Sequence, residues 1–312
     1  MDTVAVVLEQ PERLVLSRLP LSPPGAEDVV VDIEWSGIST GTERLLWSGR
    51  MPHFPGMGYP LVPGYESVGR VIEAGPASSR KVGEHVFVPG AKCYGDVRGL
   101  FGGAAARVVV PGARALPIAE SFGELGVLLA LGATAYHACS VEGVRQPDLI
   151  VGHGVLGRML ARLAVAAGAT PTVWETNPDR RSGAQGYAVI DPATDERRNY
   201  RTICDVSGAG ELLDTLVSRL APGGEIVLAG FYDEPLSFTF PPAFMREARF
   251  RIAAQWHEND LKAVREMAES GRLSLDGLIT HRQPAAEADT AYRTAFGDPA
   301  CLKMILDWRN MQ

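Results

Sequence analysis

The chain has 312 residues, enough for two domains, and its 46% hydrophobic and 21% charged residues are those of a globular protein. A net charge of −7, from 37 acids against 30 bases, excludes a general nucleic-acid binder, and no basic run offsets it. No segment reaches about 18 unbroken apolar residues, so no transmembrane segment is expected. The first residues, MDTVAVVLEQ, lack the basic-then-apolar pattern of a signal peptide. Cys93, Cys139, Cys204 and Cys301 lie far apart with no C-x-x-C, so reduced thiols in a cytoplasmic protein are expected rather than a disulfide framework.

Up to about Leu116, short apolar runs alternate with glycine and proline. Residues 4–8, 14–16, 28–35, 67–73, 85–89 and 106–110 are predicted strands, with turns at 23–25, 74–76 and 111–112. Many short strands without a long helical period indicate a barrel-like β domain. Two stretches in it look functional: Gly37-Ile38-Ser39-Thr40-Gly41-Thr42-Glu43 and Pro63-Gly64-Tyr65-Glu66-Ser67. Between them, residues 47–59 (WSGRMPHFPGMGY) concentrate aromatic and thioether side chains on a flexible backbone. Trp47, His53, Phe54, Met57 and Tyr59 either face a large planar ligand or cover the barrel end. His53 can serve as a polar contact, as an axial ligand to a metallomacrocycle or as a base.

Residues 121–140 are helix-rich, with His137 and Cys139 as core residues. From 147 to 177 the chain reads as strand, glycine turn, helix and strand. Gly152, Gly154 and Gly157 give G-x-G-x-x-G. Gly152 permits the tight turn, Gly154 lets backbone N–H groups approach a pyrophosphate, and Gly157 lets helix and strand pack closely. Val155 and Leu156 then open a helix whose N-terminus attracts phosphate. Glu175, at the end of the second strand, accepts ribose hydroxyls and repels a 2′-phosphate, so NAD is expected over NADP. Alternation continues through 185–191, a strand at 202–206 ending beside Ser207, a helix at 212–220 and a strand at 225–229. Gly230 and Tyr232 follow that strand, where ligands of open α/β sheets gather. Residues 235–242 read as an extended stretch and 250–256 as the last strand of the sheet. Residues 261–270 form an amphipathic helix.

These motifs, with Gly69-Arg-Val-Ile-Glu-Ala-Gly75, Val82-Gly83-Glu84-His85-Val86, Gly132-Ala-Thr134-Ala-Tyr136 and Leu220-Ala-Pro-Gly-Gly-Glu-Ile-Val227, resemble the medium-chain dehydrogenase/reductase superfamily over nearly the whole chain. The resemblance implies an α/β fold: a GroES-like β-barrel catalytic domain (1–120 and 257–312) and a Rossmann doubly wound parallel-sheet domain (121–256). It implies that Thr134 contacts the nicotinamide carboxamide, that 278–281 is a return strand, and that 235–242 pairs across the axis of a homodimer. By family position Lys303 is either a pyrophosphate ligand or a solvated surface lysine.

Departures from the family pattern carry as much weight. Zinc-dependent members have cysteine where this chain has Ser39-Thr40, and His-Glu where it has Tyr65-Glu66. The third ligand has no counterpart in 128–131, and the zinc lobe has shrunk to 91–95. No metal is expected. Tyr65 then acts as a base where nearby positive charge such as oxidised nicotinamide lowers its pKa, orients the substrate oxygen with Ser39, Thr40 or Thr42 as relay, or merely packs. Glu66 and Glu43 are proton acceptors or structural acids paired with Arg44 or Arg70. Within the zinc-free branch, the motifs at 36–49, 52–69 and 150–158 resemble members acting on bacteriochlorophyllides. That implies a tetrapyrrole substrate whose 1-hydroxyethyl side chain is oxidised to acetyl with NAD. A zinc-free quinone or enoyl reductase and a non-catalytic tetrapyrrole carrier are the rival readings.

Overall fold

A computed structural model of the protein describes residues 1–140 and 144–311. The chain divides into two units, Met1–Ala130 with Leu278–Gln312, and Leu131–Gly277. The crossings fall after Ala130 and Gly277, later than the expected 120 and 256. Packing explains both shifts. Gly126 lies so close to Val68 and Ile118 that an added Cβ would stand 2.6 and 2.8 Å from them, which ties the residues after 120 to the first unit. At the other crossing, Val264 packs on Gly132, and Arg162 donates to the carbonyls of Ser274 (2.8 Å) and Asp276 (3.0 Å).

The first unit begins with Asp2–Gln10 (β1), Arg13–Pro20 (β2), Asp28–Ile38 (β3), the helix Thr42–Ser48 (α1), Leu61–Val62 (β4), Ser67–Ala74 (β5), His85–Val88 (β6), Arg98–Gly99 (β7), Arg107–Pro111 (β8) and Leu116–Pro117 (β9). Val29, Val30, Val31 and Ile33 of β3 are all fully buried, because β5 and β8 pair beside it and the other sheet lies across one face. β-branched residues suit such a strand.

The chain passes into the second unit within Leu129–Ser140 (α2), at Leu131. A parallel sheet follows from Leu149–Val151 (β10), Thr172–Trp174 (β11), Ala188–Ile190 (β12), Tyr200–Asp205 (β13), Leu220–Leu228 (β14) and Arg249–Ile252 (β15), in the order β12-β11-β10-β13-β14-β15. Its helices are Val155–Ala166 (α3), Leu213–Arg219 (α4), Phe240–Met245 (α5) and Glu258–Glu269 (α6). Residues 235–242 do not form the expected strand: 235–239 carry no regular structure and Phe240 begins α5. Pro241 and Pro242 occupy its first turn, where a missing N–H is harmless and φ is already helical. The last strand ends at Ile252, short of the expected 256, and its edge is open among the described residues.

The chain then returns to the first unit with His281–Pro284 (β16), Ala288–Gly297 (α7) and Met304–Asp307 (β17). The return strand starts at His281, not at 278. β17 pairs antiparallel with β3, Met304 opposite Ile38 and Asp307 opposite Trp35. This completes a seven-stranded sheet, β16-β17-β3-β5-β6-β9 with β8 beside β3, while β2-β1-β4-β7 form the second sheet around the same core. The helical stretch Glu120–Ser140 is long and apolar enough to cross a bilayer by composition, but 61% of it is buried within the protein, as in a core helix.

Candidate active site

Glycine geometry builds one half of the machinery, in the second unit. Gly152 follows β10 with φ at +104°, a conformation L side chains rarely adopt. Gly157 sits in the first turn of α3, where a Cβ would stand 1.9 Å from the carbonyl oxygen of Gly152. At Gly154, the N-cap, a Cβ would meet nothing within 4 Å, and no side chain caps the helix. The N–H groups of Val155, Leu156 and Gly157 have no acceptor one turn earlier in the helix. Open space over unpaired donors fits a pyrophosphate.

Glu175, half-buried, is pinned to this turn. One oxygen accepts from the His153 N–H at 3.1 Å, the other from the Asn177 N–H at 2.9 Å. Each keeps a lone pair for a ribose hydroxyl. His153 was missed from the sequence, being the variable residue of the motif. It is fully buried, its Nδ1 2.6 Å from the Arg180 carbonyl and its Nε2 2.8 Å from the Tyr187 hydroxyl. Burial holds it down to a pKa of about 4, so it is neutral. Arg158 braces the same turn, donating to the carbonyls of His153 (3.1 Å) and Arg180 (3.0 Å).

Ser207 and Tyr232 come together through a residue the sequence did not single out. Asp205, fully buried at the end of β13, accepts from the Ser207 N–H (2.9 Å), the Ser207 hydroxyl (2.6 Å) and the Tyr232 hydroxyl (2.8 Å). Gly230 donates its N–H to the Asp205 carbonyl, and a Cβ there would lie 3.0 Å from the Gly208 nitrogen. Thr134 is half-buried on α2.

Side chains build the other half, in the first unit. Glu43 on α1 is fully buried; it accepts from the Tyr292 hydroxyl (2.6 Å) of α7 and the Ser39 N–H (3.2 Å). Glu66, also fully buried, lies 2.5 Å from Lys303 Nζ, and its Oε1 has no hydrogen-bond partner. Lys303 is 1% exposed and donates as well to the Ile38 carbonyl, at 3.1 Å. Both expectations for this lysine are therefore corrected: it is neither a pyrophosphate ligand nor a solvated residue, because its ammonium is the counter-charge to a buried acid. The arginine pairings expected for Glu43 and Glu66 are corrected too, Arg70 being engaged on the surface by Glu120 at 2.7 Å.

Tyr65 donates its hydroxyl to Ser39 Oγ at 2.8 Å and also bonds Thr42; Thr40 is exposed. Burial and the nearby Glu66 carboxylate raise the phenol above its ordinary range in the cofactor-free protein. Tyr65 is suited to passing a proton on rather than to standing as a phenolate. The Phe101 ring meets Tyr65 edge-on at 5.4 Å and is 36% exposed, a neighbour no local signal revealed. In the 47–59 loop, Trp47 packs on Phe296 at 5.6 Å, and the Tyr59 hydroxyl caps the Leu46 carbonyl. Phe54 and Met57 lie partly buried on the same core, and His53 is exposed. Trp47 and Tyr59 thus cover the barrel end, the second of the two readings.

Zinc does not fit this donor set. Ser39 and Tyr65 are hydrogen-bonded to each other and Glu66 is paired with Lys303. Among the described residues no group of three His, Cys, Asp or Glu side chains could hold a metal.

The two halves define an alcohol-dehydrogenase-type oxidoreductase. Residues 25–120 match the alcohol dehydrogenase GroES-like domain. The chain is 58% identical over 312 residues to the 2-desacetyl-2-hydroxyethyl bacteriochlorophyllide A dehydrogenase of Rhodobacter capsulatus, covering 99% of both chains. It is equally identical, with the same coverage, to the enzyme of that name in Cereibacter sphaeroides. An alcohol dehydrogenase of Escherichia coli CFT073, solved with NADH, superposes with a TM-score of 0.83 at 21% identity, over 98% of this chain and 99% of that one. The protein belongs to the zinc-free medium-chain dehydrogenases, in the family of the two bacteriochlorophyllide enzymes.

Proposed function

We propose that the protein oxidises the 1-hydroxyethyl side chain of a bacteriochlorophyllide to an acetyl group, with NAD and without zinc. The observation that carries this reading is 58% identity across 99% of both chains to two enzymes named for that substrate. The residues support it. Gly152, Gly154 and the start of α3 hold the pyrophosphate, and Glu175 holds the adenosine ribose and disfavours a 2′-phosphate. Bound NAD+ supplies the hydride acceptor. Tyr65, seated on Ser39, orients the alcohol oxygen and passes on its proton, and the Tyr65–Phe101 pair gives the macrocycle an aromatic surface.

The protein works as a homodimer. Phe240, Phe244, Met245 and Ile252 are 65%, 65%, 75% and 77% exposed beside the open edge of β15, an apolar area that a second copy would cover.

The deciding experiment is NADH formation with hydroxyethyl bacteriochlorophyllide, followed together with the absorption shift of the pigment. NAD-linked turnover at least tenfold faster than NADP-linked turnover is expected. Pigment binding without hydride transfer would favour the carrier, and NADPH-driven reduction of a quinone or enoyl compound would favour a reductase.

A further inference from the structure

Two carboxylates and one ammonium share a buried volume inside the first unit. Lys303 lies 2.5 Å from Glu66, and both are buried. Glu43 has only neutral donors, the Tyr292 hydroxyl and the Ser39 N–H. One negative charge is therefore in surplus, and a buried charge without a counter-charge is costly. Taking up a proton at Glu43 relieves that cost, and Glu43 lies one residue contact away from the Tyr65–Ser39 hydroxyl pair. We infer that Glu43 receives, through Tyr65 and Ser39, the hydroxyl proton released when the substrate alcohol is oxidised. This rests on the dehydrogenase reading above.

The chemistry balances. Oxidation of a secondary alcohol to a ketone releases a hydride, which NAD+ accepts, and one proton from the hydroxyl. That proton moves to the Tyr65 oxygen as the Tyr65 proton moves to Ser39 Oγ and the Ser39 proton moves to Glu43, which ends as a carboxylic acid. Tyr65 already donates to Ser39 Oγ at 2.8 Å, which leaves the serine hydrogen available for another acceptor. The same serine's N–H holds Glu43 Oε1 at 3.2 Å, which keeps that carboxylate beside the serine. The proton leaves by the same hydroxyls, Thr40 beside them being exposed.

The charged and titratable groups facing Glu43 are Tyr292 from α7, Tyr65 and Glu66 from the segment before β5, and Lys303 from the segment before β17. Burial, followed by the Glu66 charge among the raising effects, lifts Glu43 to about 7, while the Tyr292 hydrogen bond, the Ser39 N–H and Lys303 oppose the rise. A proton acceptor tuned near the working pH is the efficient one.

Two readouts test this: infrared titration of buried carboxyl groups in the cofactor-free protein, and the pH profile of turnover on the hydroxyethyl macrocycle. A carboxylic-acid band titrating near pH 7 should be missing from Glu43→Gln. That variant should turn over about a hundredfold more slowly on the alkaline side and lose the inflection. Tyr292→Phe removes a hydrogen bond that favours the anion. It should move band and inflection upward together by about one pH unit, and it keeps the test alive if Glu43→Gln does not fold. Active parent enzyme whose inflection stays put in Tyr292→Phe overturns the relay and leaves the dehydrogenase reading standing. A parent that transfers no hydride overturns that reading, and the relay with it.

Discussion

Backbone makes the nucleotide turn at the end of β10, and side chains make the acid cluster around Glu43. In the turn, three glycines leave room for a ligand, and the charge that binds it is the partial positive charge of N–H groups, which never titrates. His153 there is neutral, and Glu175 rests on two backbone N–H groups. In the cluster, full charges are buried and balanced only against one another: Lys303 opposes the upward push of burial on Glu66, while Glu43 has no cation bonded to it among the described residues. The turn should fail when an atom is added, the cluster when a charge is removed.

The contrast can be broken most forcefully at Lys303. Lys303→Met leaves Glu66 buried without a counter-charge and should cost about 3–5 kcal/mol in urea unfolding. Adding Glu66→Leu should restore most of it, and a single variant as stable as the parent would dissolve the pair as a structural unit. Gly157→Ala drives a methyl against the Gly152 carbonyl oxygen. NADH affinity by fluorescence titration should fall roughly a hundredfold, ~2.7 kcal/mol, while the carboxyl titration of the cluster is unaffected.

Third come opposite responses to pH. Folding raises Glu43 from 4.5 to about 7, so the folded state holds that proton more tightly. Its contribution is complete below 4.5 and is lost as pH climbs to about 7. Folding lowers His153 from 6.5 to about 4; its contribution is complete above 6.5 and is lost as pH falls toward 4. Each is on the order of 3 kcal/mol. Urea curves at about pH 8 should show Glu43→Gln gaining on the parent, and at about pH 5 His153→Gln should gain. The reverse order would refute both assignments. The smallest effect is at Glu175. Glu175→Ala should narrow the preference for NAD over NADP by about tenfold, ~1.4 kcal/mol, and an unchanged ratio would place the discrimination elsewhere.

How legible each region was follows from the same contrast. The turn is local: strand, glycines, helix and terminal acid fall within a short stretch of chain, and each glycine has a steric reason that a sequence can display. Gly152, Gly154, Gly157 and Glu175 all take their expected places in the fold. The cluster is assembled across the chain, with Tyr292 standing 249 residues from Glu43 and Lys303 237 from Glu66. No periodicity announces such pairs. For Glu43 the sequence leaves a proton acceptor and a partner of a nearby arginine both open, proximity in sequence being the only guide, and for Lys303 it offers a pyrophosphate ligand or a surface lysine, neither of which predicts a buried ion pair with Glu66. The 47–59 loop misled in another way: aromatic density marks both a binding surface and a lid on a core, and the contacts of Trp47 and Tyr59 choose the core.

The antiparallel pairing of β17 with β3 has a consequence for synthesis on the ribosome. Tyr292 and Lys303, the partners of Glu43 and Glu66, emerge long after the barrel strands that bury those acids. During translation the first unit waits, with its central strand short of a neighbour, while the entire parallel-sheet unit is made and folds. A chain stopped after Gly277 should accordingly be digested quickly by protease within residues 1–130 and slowly within 131–277. The segment from His281 to Asp307 is thus the latch that converts a half-built barrel into a finished one.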